Sequence, residues 1–242
     1  MSATIENLRL LLESSSPEPL RERISSGCVP LNRLLPDQGF LRGSLVEWLG
    51  SEVGSGVSSL ALLAAREACQ DGRTLVILDR DGQFYPPAAA AWSIDLDNTI
   101  VLYPQDAQDE SWALDQALRC PHVGAVLSWP QQLTSHTFRR LQLIAERSGC
   151  IGMLIRPSTA RREPSWADVR VWVSPKPLQR PNSLGNVSWQ LSAQILRCRR
   201  GVGDSEVTFE INCQTGEARE THRSSMVTPL AGTTAGSHEA RT

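Results

Sequence analysis

From residue 44 to residue 157 the chain alternates short apolar runs with helical patterns, and few folds accommodate that alternation. "SLVEWLG" reads as a strand ending in glycine, and "SSLALLAAREACQDG" as a helix that stops at Gly72. "RTLVILD" and "TIVLYP" are strands, "ESWALDQALRC" a helix, "GAVLSW" a strand, "TFRRLQLIAERSG" a helix and "CIGMLIRP" a strand. Continuous apolar runs of this kind suit strands buried on both faces, as parallel strands are. The order strand, helix, strand, strand, helix, strand, helix, strand predicts an α/β fold with a mostly parallel sheet flanked by helices. Ligands in such folds sit at the carboxyl ends of the strands. "DVRVWVSP", "VSWQLSAQILRCRRG" and "EVTFEINC" then read as consecutive antiparallel strands that extend the sheet.

The flanks differ in character. "IENLRLLLESS" places Ile5, Leu8, Leu11 and Leu12 at helical spacing and is followed by the break "SSSPEP". Residues 1–22 are therefore read as an amphipathic helix and linker, 23–220 as the folded domain, and 221–242, small and polar, as a disordered tail. No apolar run reaches the ~20 residues of a membrane span and the N-terminus lacks a signal-peptide pattern, so the cytoplasm is the expected location. Six cysteines stand singly, with no metal-ligand spacing, and are read as small buried hydrophobes. Six tryptophans (48, 92, 112, 129, 172 and 189) fall in apolar contexts and are read as core. Charge is uneven: Arg139 to Arg200 holds an excess of nine positive charges while the rest of the chain is eleven negative. That asymmetry suits either an acidic or nucleic-acid partner or several unrelated solvated faces.

Between the first strand and the first helix stands "GSEVGSGVSSL". A phosphate-binding loop lies at such a place because successive backbone N–H groups and the positive end of the helix dipole meet there. Against G-x-x-x-x-G-K-[ST], the chain keeps Gly56 and Ser58 but has Val57 at the lysine, and Gly50 fits the first glycine only with one extra residue. Valine supplies neither charge nor donor to the outer phosphates, and Lys176 is the chain's single lysine. The loop alone fits a vestigial phosphate site (Gly50, Gly54, Ser55, Gly56, Val57, Ser58, Ser59) as well as it fits a simple strand-to-helix turn.

The surrounding segments resemble the RecA recombinase core. They include "ISSGCVPLNRLLPDQGFLRGSLVEWLGSE", the stretch "RTLVILDRDGQFYPPAAAAWSIDLDNTIVLYPQDAQDESWALDQALR", and "GAVLSW". Within that group, the "RRLQLIAE" helix, the "RP" after the next strand and the degenerate loop are similar to the ImuA family of RecA-like accessory proteins of bacterial SOS mutagenesis. The resemblance implies a RecA-like fold over roughly residues 24 to 175. It also implies partners: an ImuB-like inactive Y-family polymerase homologue, an error-prone DnaE-type polymerase, and RecA, joined in translesion synthesis with Ile5, Leu8, Leu11 and Leu12 as docking side chains. A divergent RecA-type DNA-dependent ATPase and a SulA-like division inhibitor are the other functions the resemblance allows.

Departures from the RecA pattern concentrate where charge is needed. Asp81 stands at the water-activating glutamate, Ser128 at the metal-organising aspartate and Ala88 at the adenine-stacking tyrosine. The expectation is no catalysis, no resident cofactor or metal, and ATP binding that is weak at most. The two DNA-binding loops are short here. Arg156, Arg161 and Arg162 beside Trp166 and the cluster Arg197, Arg199 and Arg200 are the candidate contacts for weak, non-specific DNA, with a solvated turn over a buried Trp166 as the other reading. No catalytic triad spacing is present.

Overall fold

The computed structural model describes residues 21–52, 54–177, 188–199, 201 and 205–220. The expected N-terminal helix with Ile5, Leu8, Leu11 and Leu12, the tail from 221 and Arg200 lie outside the described residues. Two short strands, β1 (Arg23–Ile24) and β2 (Phe40–Leu41), form an antiparallel pair around α1 (Val29–Leu34). The chain then runs β3 (Leu45–Gly50), α2 (Val57–Ala68), β4 (Thr74–Leu78), α3 (Pro86–Ala91), β5 (Thr99–Leu102), α4 (Ala107–Arg119) and β6 (Val123–Ser128). It continues through α5 (Ser135–Ser148), β7 (Ile151–Arg156), a 3₁₀ turn (Ser158–Arg162), β8 (Val169–Lys176), β9 (Ser188–Cys198), β10 (Ser205–Asn212) and β11 (Ala218–Glu220).

One sheet has the order β11-β10-β9-β8-β3-β7-β6-β4-β5, parallel from β8 to β5 and antiparallel from β8 to β11. Strands β3, β6 and β7 are buried along their whole length, which explains their unbroken apolar runs. "DVRVWVSP" departs from the expectation in one respect. As β8 it pairs parallel with β3 and antiparallel with β9, so the sheet changes direction one strand later than expected. Alternation in V-R-V-W-V reveals a half-buried strand, but it carries no information on direction.

Two apolar layers sandwich the sheet. Leu31 of α1, Leu60, Leu63 and Ala64 of α2, and Ala89 with Trp92 at α3 cover one face, together with Trp48, Ile77, Leu127 and Val171 from the strands. Leu114 and Leu118 of α4 and Phe138, Leu141 and Ile144 of α5 cover the other, against Val76, Val126 and Leu154. Fully burying each such leucine or phenylalanine contributes about 1.5–3 kcal/mol. Local signals fix the helix ends. Asp106 caps α4 by accepting from the N–H groups of Gln108 and Asp109, and Thr134 caps α5 by accepting from that of Thr137. Gly149 closes α5 in the left-handed conformation at φ +80°. At Gly124 a side chain is excluded by contact: a Cβ there would lie 2.5 Å from the carbonyl oxygen of Ala68, where the end of α2 crosses β6.

Among the described residues the cysteines are all unpaired thiols; Cys28 and Cys150 are buried as expected, whereas Cys69, Cys120, Cys198 and Cys213 are only half-buried. Burial pushes the Cys28 thiol up to about 12 and that of Cys69 up to about 11, so neither is a thiolate at neutral pH. No group of three metal-ligating side chains and no helix long and apolar enough to cross a membrane occurs among the described residues.

Candidate functional site

Strand β3 delivers Gly50 to the carboxyl end of the sheet, where the chain turns into α2. The Ser51 N–H donates to the carbonyl of Val173 at 3.0 Å and that of Ser55 to Glu52 at 3.2 Å, so the loop is folded back over the strand ends. Ser55 tucks beneath Gly50, whose missing Cβ would fall 2.5 Å from the Ser55 Oγ. Gly56 takes the left-handed conformation that starts α2, at φ +78°, and a Cβ there would meet Leu191 at 2.6 Å. The Oγ atoms of Ser51 and Ser55 are buried with no hydrogen-bond partner among the described residues.

Val57 packs against the core on the α2 face of the sheet. The Ser58 hydroxyl accepts a hydrogen bond from the indole Nε1 of Trp129 at 3.2 Å. The chain's one lysine, Lys176, is paired with Glu206 at 3.5 Å. The start of α2 therefore offers backbone donors and helix dipole to an anion, and Val57 adds no charge to them.

Strand β6 contributes to this region through a different residue than the sequence suggests. Ser128 points to the opposite face of the sheet, where its buried hydroxyl donates to Glu110 of α4 at 2.8 Å. The other Glu110 oxygen is 3.2 Å from Arg80, which also reaches Asp81 at 3.4 Å. Ser128 is thus not gathered with Ser58; Trp129, the next residue, is. Asp81 is exposed, whereas Asp79 is buried and accepts from the N–H groups of Gln83 and Phe84 at 2.7 and 2.9 Å, fixing the turn after β4. Sequence reasoning missed Asp79, Glu110 and Trp129 as members of this region. The only available signal was their position at or just beyond strand ends or in a first helical turn.

The candidate DNA contacts do not form one cluster. Arg156 is fully buried, bonded to Glu47 at 3.0 Å and to Glu163 at 2.7 Å, so the expectation of a surface contact there is corrected: its charge is consumed inside the sheet. Arg161 stacks on the Trp172 ring at 4.5 Å, and Arg162 is exposed beside it. Arg197 donates to the carbonyl of Ser165 at 2.6 Å and Arg199 lies 3.4 Å from Asp168. Arg197 is paired with Arg170 at the start of β8, so Arg197 and Arg199 stand at the end of the sheet opposite the Gly50–Ser58 loop. Trp166 is exposed rather than buried, with Arg139 4.8 Å above its ring. Trp112 and Trp189, read as core, are exposed as well.

Trp112 belongs to a second feature of the surface. The last strand of the sheet, β5, pairs among the described residues only with β4 and turns Ile100 and Leu102 outward, 50% and 37% exposed. Tyr85, Leu96, Tyr103 and Trp112 are exposed large apolar side chains from the same stretch of chain, and Trp112 is 63% exposed. Six of the nine exposed large apolar residues thus come from residues 85–112, which makes this edge the leading interaction surface among the described residues.

The fold is RecA-like. A crystal structure of the RadB recombinase superposes with a TM-score of 0.62 at 16% identity, covering 82% of this chain and all of that one. In sequence, the RecA protein of Nostoc punctiforme is 31% identical over 106 residues, 44% of this chain and 29% of the relative. RecA of Clostridium novyi is 34% identical over 97 residues, 40% and 27% of the two chains. The chain is thus homologous to RecA over a segment that spans less than a third of these relatives. No protein-family model matches it.

Proposed function

We propose that this chain is a non-catalytic RecA-like accessory protein of SOS-induced translesion DNA synthesis, similar to the ImuA family. It would join an ImuB-like inactive Y-family polymerase homologue to an error-prone DnaE-type polymerase, with RecA as a further partner. The observation that carries this reading is the Trp129–Ser58 hydrogen bond beside an inward-packed Val57. The hydroxyl that would face a metal–phosphate group is held by an indole, and the neighbouring position has no cation. The carboxylate bonded to Ser128, that of Glu110, is neutralised by Arg80 on the other face. Phosphoryl-transfer catalysis is mostly electrostatic stabilisation, so a site lacking these charges loses most of its rate. A fold kept without that chemistry acts through its surface, and the apolar edge at β5 is a surface suited to protein contact.

The nucleotide prediction follows directly. Mg²⁺-dependent ATP hydrolysis will not rise above a no-protein control, and ATP will bind weakly at most, measured by phosphate release and calorimetry. Val57→Lys alone will not create turnover, because Ser128, at the position of the metal-organising aspartate, brings no charge to Mg²⁺. Robust hydrolysis abolished by Ser58→Ala would falsify the non-catalytic reading.

Contact with DNA is expected to be weak and independent of sequence, through Arg139, Arg161, Arg162 and Arg197 and the exposed ring of Trp166. Its affinity should fall steeply between about 50 and 200 mM salt, as phosphate-dominated binding does. Replacing Arg161, Arg162 and Arg197 by alanine should weaken it equally on unrelated sequences. Anisotropy with labelled single strands reads both, and an affinity unmoved by salt would count against DNA as a ligand.

A further inference from the structure

At the opposite end of the sheet from the glycine loop, Leu35, Pro36, Leu41, Val169 and Cys198 line a cavity of about 50 Å³. We propose that this cavity is the docking site for residues 5–12 of the same chain, which anchor there by an aliphatic side chain. Its size selects the class of occupant. Ligand and cofactor sites run to about 300–1,000 Å³, whereas a water takes about 30 Å³, so this space accepts the end of one side chain. Its apolar walls suit the end of a leucine or isoleucine, and Ser44, Asp37, Arg21 and the Asp168–Arg199 pair share the lining with them.

The chain itself brings such a side chain close. Arg21, the first described residue, is part of the cavity wall, and its guanidinium is bonded to Glu146 of α5, which fixes where residues 1–20 leave the core. Residues 13–20 separate Leu12 from Arg21 and can span at most about 29 Å, so the stripe Ile5, Leu8, Leu11 and Leu12 can fold back to the cavity without strain. A helix of that length is marginal in water and gains stability by packing its apolar side. Arg199 and Asp37 in the cavity wall offer both signs of charge to Glu6 and Arg9 of the segment. Docked in this way, the stripe and the cavity mask each other, and any protein that takes the stripe must first displace it. The inference stands on the cavity and the segment, whatever the partners prove to be.

Cys198 in the cavity wall makes the contact testable by disulfide trapping in the full-length protein. Ile5→Cys, Leu8→Cys, Leu11→Cys and Leu12→Cys are made singly, with Glu6→Cys on the other side of the helix as control. After mild oxidation, at least one stripe position should form an intramolecular link to Cys198. The link should be mapped by mass spectrometry, migrate as a monomer, be lost with Cys198→Ser, and form about tenfold faster than at Glu6→Cys, beyond what tethering alone confers. Equal rates at the control, no link at any stripe position, or a link found only between two chains would each overturn docking within the chain.

Discussion

Glu47→Ala will lower the stability of the domain by about 3–5 kcal/mol, the cost of leaving buried charge without its partner. Glu47 sits on β3 with no exposed surface, between Arg156 of β7 at 3.0 Å and Arg170 of β8 at 2.6 Å. Arg156 is equally buried, and Arg170 nearly so. The two guanidinium groups also hold the connection between β7 and β8. Arg156 reaches Glu163, and Arg170 donates to the carbonyls of Ala160 and Arg161 at 2.8 and 3.4 Å. Removing the central carboxylate strands two cations in the middle of the sheet and loosens the 3₁₀ turn with them.

For a domain of this size the loss corresponds to a fall in Tm of about 6–20 °C, measured by circular dichroism. Glu163→Ala, by contrast, removes a carboxylate that is 43% exposed and should cost no more than about 1 kcal/mol. Replacing Glu47, Arg156 and Arg170 together by leucine or methionine should restore most of the stability, since an apolar triad of similar volume needs no desolvation of charge. A Glu47→Ala protein as stable as the native one would show that the triad is solvated and carries little energy.

This triad also marks the limit of what the sequence discloses. The apolar runs that became β3, β6 and β7 were legible because strands buried on both faces leave an uninterrupted signature. A glutamate within "LVEWLG" has no local explanation, because its partners lie 109 and 123 residues downstream. For the same reason Arg156 reads as a surface cation in sequence, although it is the last residue of a buried strand. Elements of two to six residues, β1, α1 and α3, are too short to show a period.

At the candidate site, the loop from Gly50 to Ser59 was legible through its glycines and serines, and the direction in which side chains leave a strand end was not. Consecutive strand residues face opposite sides, so Ser128 and Trp129 exchange the roles that alignment suggests. On α4, the buried residues are Glu110, Leu114, Asp115, Ala117 and Leu118. Trp112 falls outside them, a distinction that apolar content alone conceals.

Ile100→Asp combined with Trp112→Ala will abolish capture of at least one protein partner while leaving the domain folded. Both side chains are largely exposed, so their loss removes little buried area and stability should change by no more than about 0.5 kcal/mol each. An exposed aromatic such as Trp112 is, by contrast, the type of group that dominates an interface. Truncating one such residue costs about 2 kcal/mol or more of binding, roughly thirtyfold in Kd, and a buried aspartate adds to that. The edge also presents Asp95, Asp97, Asp106 and Asp109, all exposed, which favours a partner segment with apolar side chains flanked by basic ones.

The measurement compares tagged full-length protein, the edge variant and a form lacking residues 1–20, each shown to be folded, as baits in extracts of DNA-damaged cells of the source organism. The full-length bait should recover a Y-family homologue, a DnaE-type polymerase or RecA, identified by mass spectrometry. The edge variant should lose at least one of them. Loss from the truncated form instead would assign that contact to the stripe at residues 5–12. Recovery unchanged by the edge substitutions would remove β5 and α4 from the interface, and recovery of none of the three by the full-length bait would count against the translesion assignment itself.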